Sequence, residues 1–107
     1  MSDFLPERIF EQLISAGEDW SDKNAAAELL EETRKTVLAE LANKEHGSQN
    51  AKEAAALANP AYKLHITNMV VARKEANRAR VRYDAMRVLA ELRRTEQSTR
   101  RAEMNIR

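Results

Sequence analysis

The chain has 107 residues, no cysteine, and a net charge of +1 at neutral pH. The absence of cysteine excludes disulfides, thiolate metal sites and cysteine nucleophiles, and it is typical of a reducing compartment. The length fits a single helical domain over residues 1–107, and an aromatic content of only 5% predicts a core of aliphatic side chains and alanine.

The predicted elements begin with a short helix at about residues 5–16. Pro6 suits the first turn of this helix, and Gly17 is suited to a left-handed C-terminal cap. Ser21 is a good N-cap for a second helix. The apolar pattern of that helix continues over about residues 22–46.

A short third helix is predicted at about residues 51–58, because Asn50 with Glu53 three residues later resembles a capping box. Asn59 and Pro60 then form an N-cap followed by proline at the first helical position. No glycine or proline occurs after Pro60. One long helix is therefore expected over about residues 60–103.

Apolar and small residues recur along the long helix with alternating spacings of three and four. This inner row is rich in alanine and would let another helix approach closely. Its members are Met69, Ala72, Ala76, Ala79, Tyr83 and Met86. The long helix outruns the helix predicted before it, so we expect an all-α helical hairpin or bundle in which the inner row packs against a second copy of the chain, giving a dimer or larger homo-oligomer.

Charge is distributed unevenly along the chain. Residues 1–59 carry 12 acidic and 6 basic side chains, whereas residues 60–107 carry 5 acidic and 12 basic ones. Arginine repeats every seventh residue beside the inner row. This arginine row consists of Arg73, Arg80, Arg87, Arg94 and Arg101, and Arg93 and Arg100 add charge where the inner row turns polar.

The arginine row has two interpretations. Flanking positions of packed helices are usually charged, so the row could be a solvated face that the acidic first half neutralises. Alternatively, guanidinium groups along one helix face are the electrostatic footprint of a nucleic-acid-binding surface, since arginine holds phosphate in two-point contacts. The sequence leaves both interpretations open.

Other chemistry has little support in the sequence. His46 and His65 lie far apart and form no metal-ligand motif. There is no glycine-rich phosphate loop and no G-x-S-x-G motif. The N-terminus lacks the pattern of a signal peptide, and no apolar run approaches the ~18 residues of a membrane span. We therefore expect a cytoplasmic, non-enzymatic protein without metal or cofactor and without membrane association.

The second half of the chain resembles the ends of small, uncharacterised proteins from phages and prophages. The resemblance covers roughly residues 55–105 and rests on ARKEAN, RYDA and the STRRAEM ending. It implies an accessory role in phage biology, such as DNA metabolism or the inhibition of a host or defence protein. The leading hypothesis is nucleic-acid binding through the arginine row; the alternative is a protein–protein interaction module or inhibitor that docks on a host complex, and a third is a purely structural bundle.

Overall fold

The computed structural model describes residues 6–106, which form four α-helices and no strand. The helices are α1 Pro6–Glu32, α2 Arg34–Asn43, α3 Gln49–Ala58 and α4 Pro60–Ile106. The prediction of an all-α chain with one long C-terminal helix is confirmed. Residue 5, where the first helix was expected to begin, lies outside the described residues.

Helix α1 runs through Gly17 and Ser21 without a break, so the predicted division into helices at 5–16 and 22–46 is wrong. Gly17 does not adopt the positive φ that a left-handed cap requires. Its small size serves a close approach instead: a Cβ atom here would lie 3.2 Å from Cε1 of Tyr83. The ring of Tyr83 therefore occupies space that a side chain at position 17 would need.

The helical path is interrupted at Thr33, between α1 and α2. The Thr33 hydroxyl donates a hydrogen bond of 2.7 Å to the carbonyl oxygen of Leu29, and its backbone lies at φ −84° and ψ −2°. Such bonding of a threonine side chain to the preceding turn competes with regular helix geometry. Backbone bonds of 3.0 Å from Thr33 N to Leu29 O and from Val37 N to Thr33 O keep the chain near-helical across this point.

Helix α3 follows directly on a loop in which Gly47 has a φ of 111°. Ser48 is its N-cap, since the Ser48 hydroxyl accepts a hydrogen bond of 3.2 Å from the backbone N–H of Ala51. The predicted cap at Asn50 is therefore wrong, because Asn50 already lies inside the helix.

Helix α4 begins where the sequence predicted. The Asn59 side chain accepts a hydrogen bond of 2.8 Å from the N–H of Ala61, and Pro60 is the first helical residue. The helix continues to Ile106 rather than ending near residue 103.

The chain divides into two compact units, whose described residues are 6–21 with 77–106 in the first unit and 22–76 in the second. The first unit pairs the beginning of α1 with the second half of α4. There the rings of Trp20 and Tyr83 are stacked, with centroids 5.5 Å apart. The second unit contains the end of α1, the beginning of α4, and α2 and α3, which contact each other.

Small side chains dominate the buried core. Among the described residues the buried apolar ones are Ile9, Ala27, Ala42, Ala56, Ala76 and Ala79. Five of these six are alanine, in agreement with the predicted composition of the core. Alanine permits close packing of helices, but each alanine removes little apolar area from water.

Candidate nucleic-acid interface

The inner row is the side of α4 that faces the rest of the chain. Ala76 and Ala79 are each 1% exposed in the single chain, and Tyr83 packs against Gly17 and Trp20 of α1. The row that we expected to meet a second copy is thus covered by the chain itself at these three positions. Met69, Ala72 and Met86 are half-buried.

Four members of the arginine row lie in the first unit and are exposed to solvent. Arg80 follows the buried Ala79 by one residue, a turn of about 100° around the helix. Arg80, Arg87, Arg94 and Arg101 are all exposed.

Within residues 6–106, Arg80, Arg94 and Arg101 take part in no ion pair or side-chain hydrogen bond. Arg87 has one neighbouring carboxylate, Asp84, whose Oδ1 lies 3.8 Å from its Nη2. A pair this long and this exposed contributes little to stability. These guanidinium groups therefore keep most of their donors available to an external anion.

Arg73, the first member of the row, differs from the others. In the second unit its Nε and Nη2 donate hydrogen bonds of 2.9 and 2.6 Å to the two carboxylate oxygens of Glu31. Its Nη1 donates a third bond of 2.9 Å to Oδ1 of Asn24. The hydrogen bond from Arg73 lowers the pKa of Glu31, and the same bond raises the pKa of Arg73. At this position the acidic part of α1 neutralises the row, as the first interpretation expected.

The remaining two predicted arginines lie near the end of α4. Arg93 is half-buried, and its Nη1 lies 2.9 Å from Oε2 of Glu96. It also lines a shallow groove with Ile9 and Leu13 of α1. Arg100 is exposed, as is every residue from 94 to 105. Arg94, Arg100 and Arg101 are therefore concentrated on a stretch of helix that is open to solvent throughout.

Pairing α1 with α4 mixes the acidic and basic halves of the sequence. Among the described residues, the first unit contains eight acidic and nine basic side chains, and the second contains eight of each. An ion pair of 3.3 Å between Arg82 and Asp19 joins the two helices in the first unit. Anion binding must therefore depend on the local arrangement of arginines, because neither unit carries a large net charge.

His65 has a structural role that sequence reasoning missed. Its Nε2 lies 2.8 Å from the carbonyl oxygen of Leu30 in the last turn of α1. Carbonyls at the end of a helix lack intrahelical partners, and an N–H at Nε2 of His65 satisfies one of them. The partner is distant in sequence, and no local pattern indicates it.

The described part of the chain offers neither a metal-binding cluster nor a membrane-spanning helix. No group of three or more His, Asp or Glu side chains among residues 6–106 could hold a metal ion. No helix in that range is long and apolar enough to cross a membrane.

Comparison with known proteins identified no relative. No protein-family model matches the chain, and neither a curated protein nor a solved structure matches it.

Proposed function

We propose that this protein is a small, non-enzymatic nucleic-acid-binding protein that holds phosphates with the exposed arginines of α4. The observation that carries the proposal is the set Arg80, Arg94 and Arg101, which are exposed and without ionic partners among residues 6–106. Arg87 extends the same surface, whereas Arg100 lies about 160° around the helix from Arg80. Arg73 is left out of the proposed site, because Glu31 and Asn24 occupy its donors.

The chemistry of this surface favours binding without sequence preference. Phosphate contacts fix a protein on nucleic acid but carry no base information. The tyrosine of the first unit, Tyr83, is stacked on Trp20 and lines the interior, so it is not offered to a base. We therefore expect affinity that falls steeply with salt and changes little with sequence.

The test is a salt titration of a triple variant in which Arg80, Arg94 and Arg101 are changed to Gln. Binding to labelled single-stranded and duplex DNA is followed by fluorescence anisotropy. The slope of log affinity against log salt should fall by about 2–3, since each lost phosphate contact contributes about 0.9 on B-DNA or 0.7 on a single strand. Helicity should be retained, because Gln is nearly as good a helix former as Arg.

A matched control removes the same charge elsewhere. Arg34, Lys35 and Lys44 are exposed residues of the second unit, and changing all three to Gln should leave the salt slope nearly unchanged. Equal losses in both triple variants would mean that only net charge matters, and the proposed site would then be rejected. Absence of measurable binding by the parent protein at low salt would reject the function itself.

A second candidate function, protein–protein interaction, is favoured by one observation. Eleven large apolar side chains among the described residues are exposed, including Phe10 and Leu29 of α1 and Leu57 of α3. Three others, Val81, Val88 and Leu92, share one face of α4, and apolar residues grouped on one face are typical of surfaces that a partner covers. Capture of the same host protein with and without nuclease treatment of the lysate, together with absence of nucleic-acid binding, would favour this function over the first.

A further inference from the structure

A second heptad pattern lies on α4, on the side opposite the inner row. Its residues are spaced alternately by four and three, as in the seam of a coiled coil. This outer strip consists of Val81, Ala85, Val88, Leu92, Thr95 and Thr99. Val81 follows the buried Ala79 by two residues, a rotation of about 200°, so the strip faces away from α1.

The outer strip is uncovered in the single chain. Val81 is 66% exposed, Val88 52% and Leu92 58%, and the other three members are exposed as well. The only large buried side chain of the described residues is Ile9. Because the core of this unit is so small, covering three large aliphatic side chains would add substantially to its free energy of unfolding.

The charges beside the strip indicate what covers it. Arg82 and Glu96 lie on the same flank, two heptads apart, with the apolar Leu89 between them. If a second copy packs antiparallel with Val88 opposite Leu92, then Arg82 of each copy lies near Glu96 of the other. Leu89 then meets its own counterpart on the same flank.

Within the chain Arg82 contacts Asp19 and Glu96 contacts Arg93. Both Arg82 and Glu96 are exposed, so in the dimer these side chains would share or exchange partners. The arrangement then gives two favourable ion pairs around an apolar centre on this flank, while Glu91 meets its own counterpart on the other flank.

A parallel arrangement is disfavoured by the same residues. In register, it would bring Glu96 near Glu91 of the second copy and Leu89 near Asp84. The first contact is repulsive, and the second places a carboxylate against an apolar side chain. The antiparallel pair has one like-charge contact and two attractive ones, whereas the parallel pair has two Glu91–Glu96 repulsions, so the flanking charges favour the antiparallel orientation.

We infer that a second copy of this chain docks antiparallel on the outer strip of α4. This inference is independent of nucleic-acid binding, since no member of the arginine row belongs to the strip. It places the oligomer interface on the face opposite the inner row.

Sedimentation equilibrium at up to about 200 µM protein tests the inference, because a weak homodimer that forms through a small interface should be populated at that concentration. The parent protein should be dimeric. Leu92→Glu should raise the dissociation constant at least ~30-fold, because each dimer would bury two carboxylates against Val88. Met104→Glu is the matched control: Met104 is 74% exposed on the same helix but off the strip, and it should leave association unchanged.

Orientation is tested by reversing charges at exposed positions. Arg82→Glu and Glu96→Arg should each weaken self-association, because each places like charges together in the antiparallel pair. A mixture of the two variants should associate more tightly than either alone, since both cross-pairs become attractive. A parallel pair keeps these positions about 21 Å apart along the helix, so mixing would bring no gain. A monomeric parent protein, equal effects of Leu92→Glu and Met104→Glu, or no gain on mixing would each overturn the inference.

Discussion

Replacing Gly17 by alanine should stabilise the protein. Because α1 is continuous and Gly17 has ordinary helical geometry, alanine gains about 1 kcal/mol of helix propensity. Opposing this gain, the new Cβ would lie 3.2 Å from Cε1 and 3.4 Å from Cδ1 of Tyr83. The ring must therefore move by a few tenths of an ångström.

The half-buried ring can make this small movement, since the contact involves one edge of a side chain and no backbone. We expect a net stabilisation of about 0.5 kcal/mol, since part of the gain is used to shift Tyr83 against its stacking partner Trp20. For a chain of this size that corresponds to a rise in Tm of roughly 2–4 °C. Thermal unfolding followed by circular dichroism at 222 nm is the assay.

Two companion variants make the result decisive. Gly47→Ala should lower stability by about 1 kcal/mol, because its φ of 111° is unfavourable for alanine. In a Tyr83→Ala background the full gain of about 1 kcal/mol from Gly17→Ala should appear. Destabilisation by Gly17→Ala in both backgrounds would refute the reasoning, since it is the behaviour of a glycine that ends a helix.

Two further predictions concern the second unit. Arg73→Gln should lower Tm at neutral pH, and the difference in Tm from the parent protein should shrink as the pH falls below about 4. Arg73 lowers the folded-state pKa of Glu31, so the stabilisation by this ion pair is present above the unfolded-state pKa and is lost as Glu31 becomes protonated. A Tm difference that persists unchanged at pH 3 would contradict the assignment. His65→Leu should cost about 1 kcal/mol, because the Leu30 carbonyl loses its 2.8 Å contact with His65 and keeps only the 3.4 Å bond from the Thr33 hydroxyl. His46→Leu at an exposed position should change the free energy of unfolding little. Equal effects in chemical denaturation would remove the proposed role of His65.

Local signals in the sequence were sufficient at the start of α4 but not at the start of α3, where Ser48 rather than Asn50 is the cap. The Asn59-Pro60 start of α4 was predicted correctly, because an N-cap and a first-turn proline act within a few residues. Gly17 was misassigned because its sequence context fits a helix cap as well as a close contact. The contact that decides between them comes from Tyr83, on a different helix.

In the candidate site, too, some features could be predicted from local sequence and others depend on how the helices pack. Its exposed arginines could be found from their seven-residue spacing, but spacing alone did not separate Arg73 from Arg80. Only the pairing of α1 with α4 brings Glu31 to Arg73. The outer strip was readable as a heptad pattern from the start. Which of two heptad patterns on one helix is covered by the chain, however, depends on where α1 packs.

The alanine-rich core also bears on how the protein would persist in a cell. Because a core of this kind buries little apolar area, each chain alone has a small margin of stability. Anything that binds only the folded chain then raises the folded fraction by mass action, while unoccupied chains open more often and are exposed to proteases. We therefore expect the steady-state abundance of the protein to rise with the fraction of chains whose surface around Val81, Val88 and Leu92 is covered by a second copy, because uncovered chains are degraded faster.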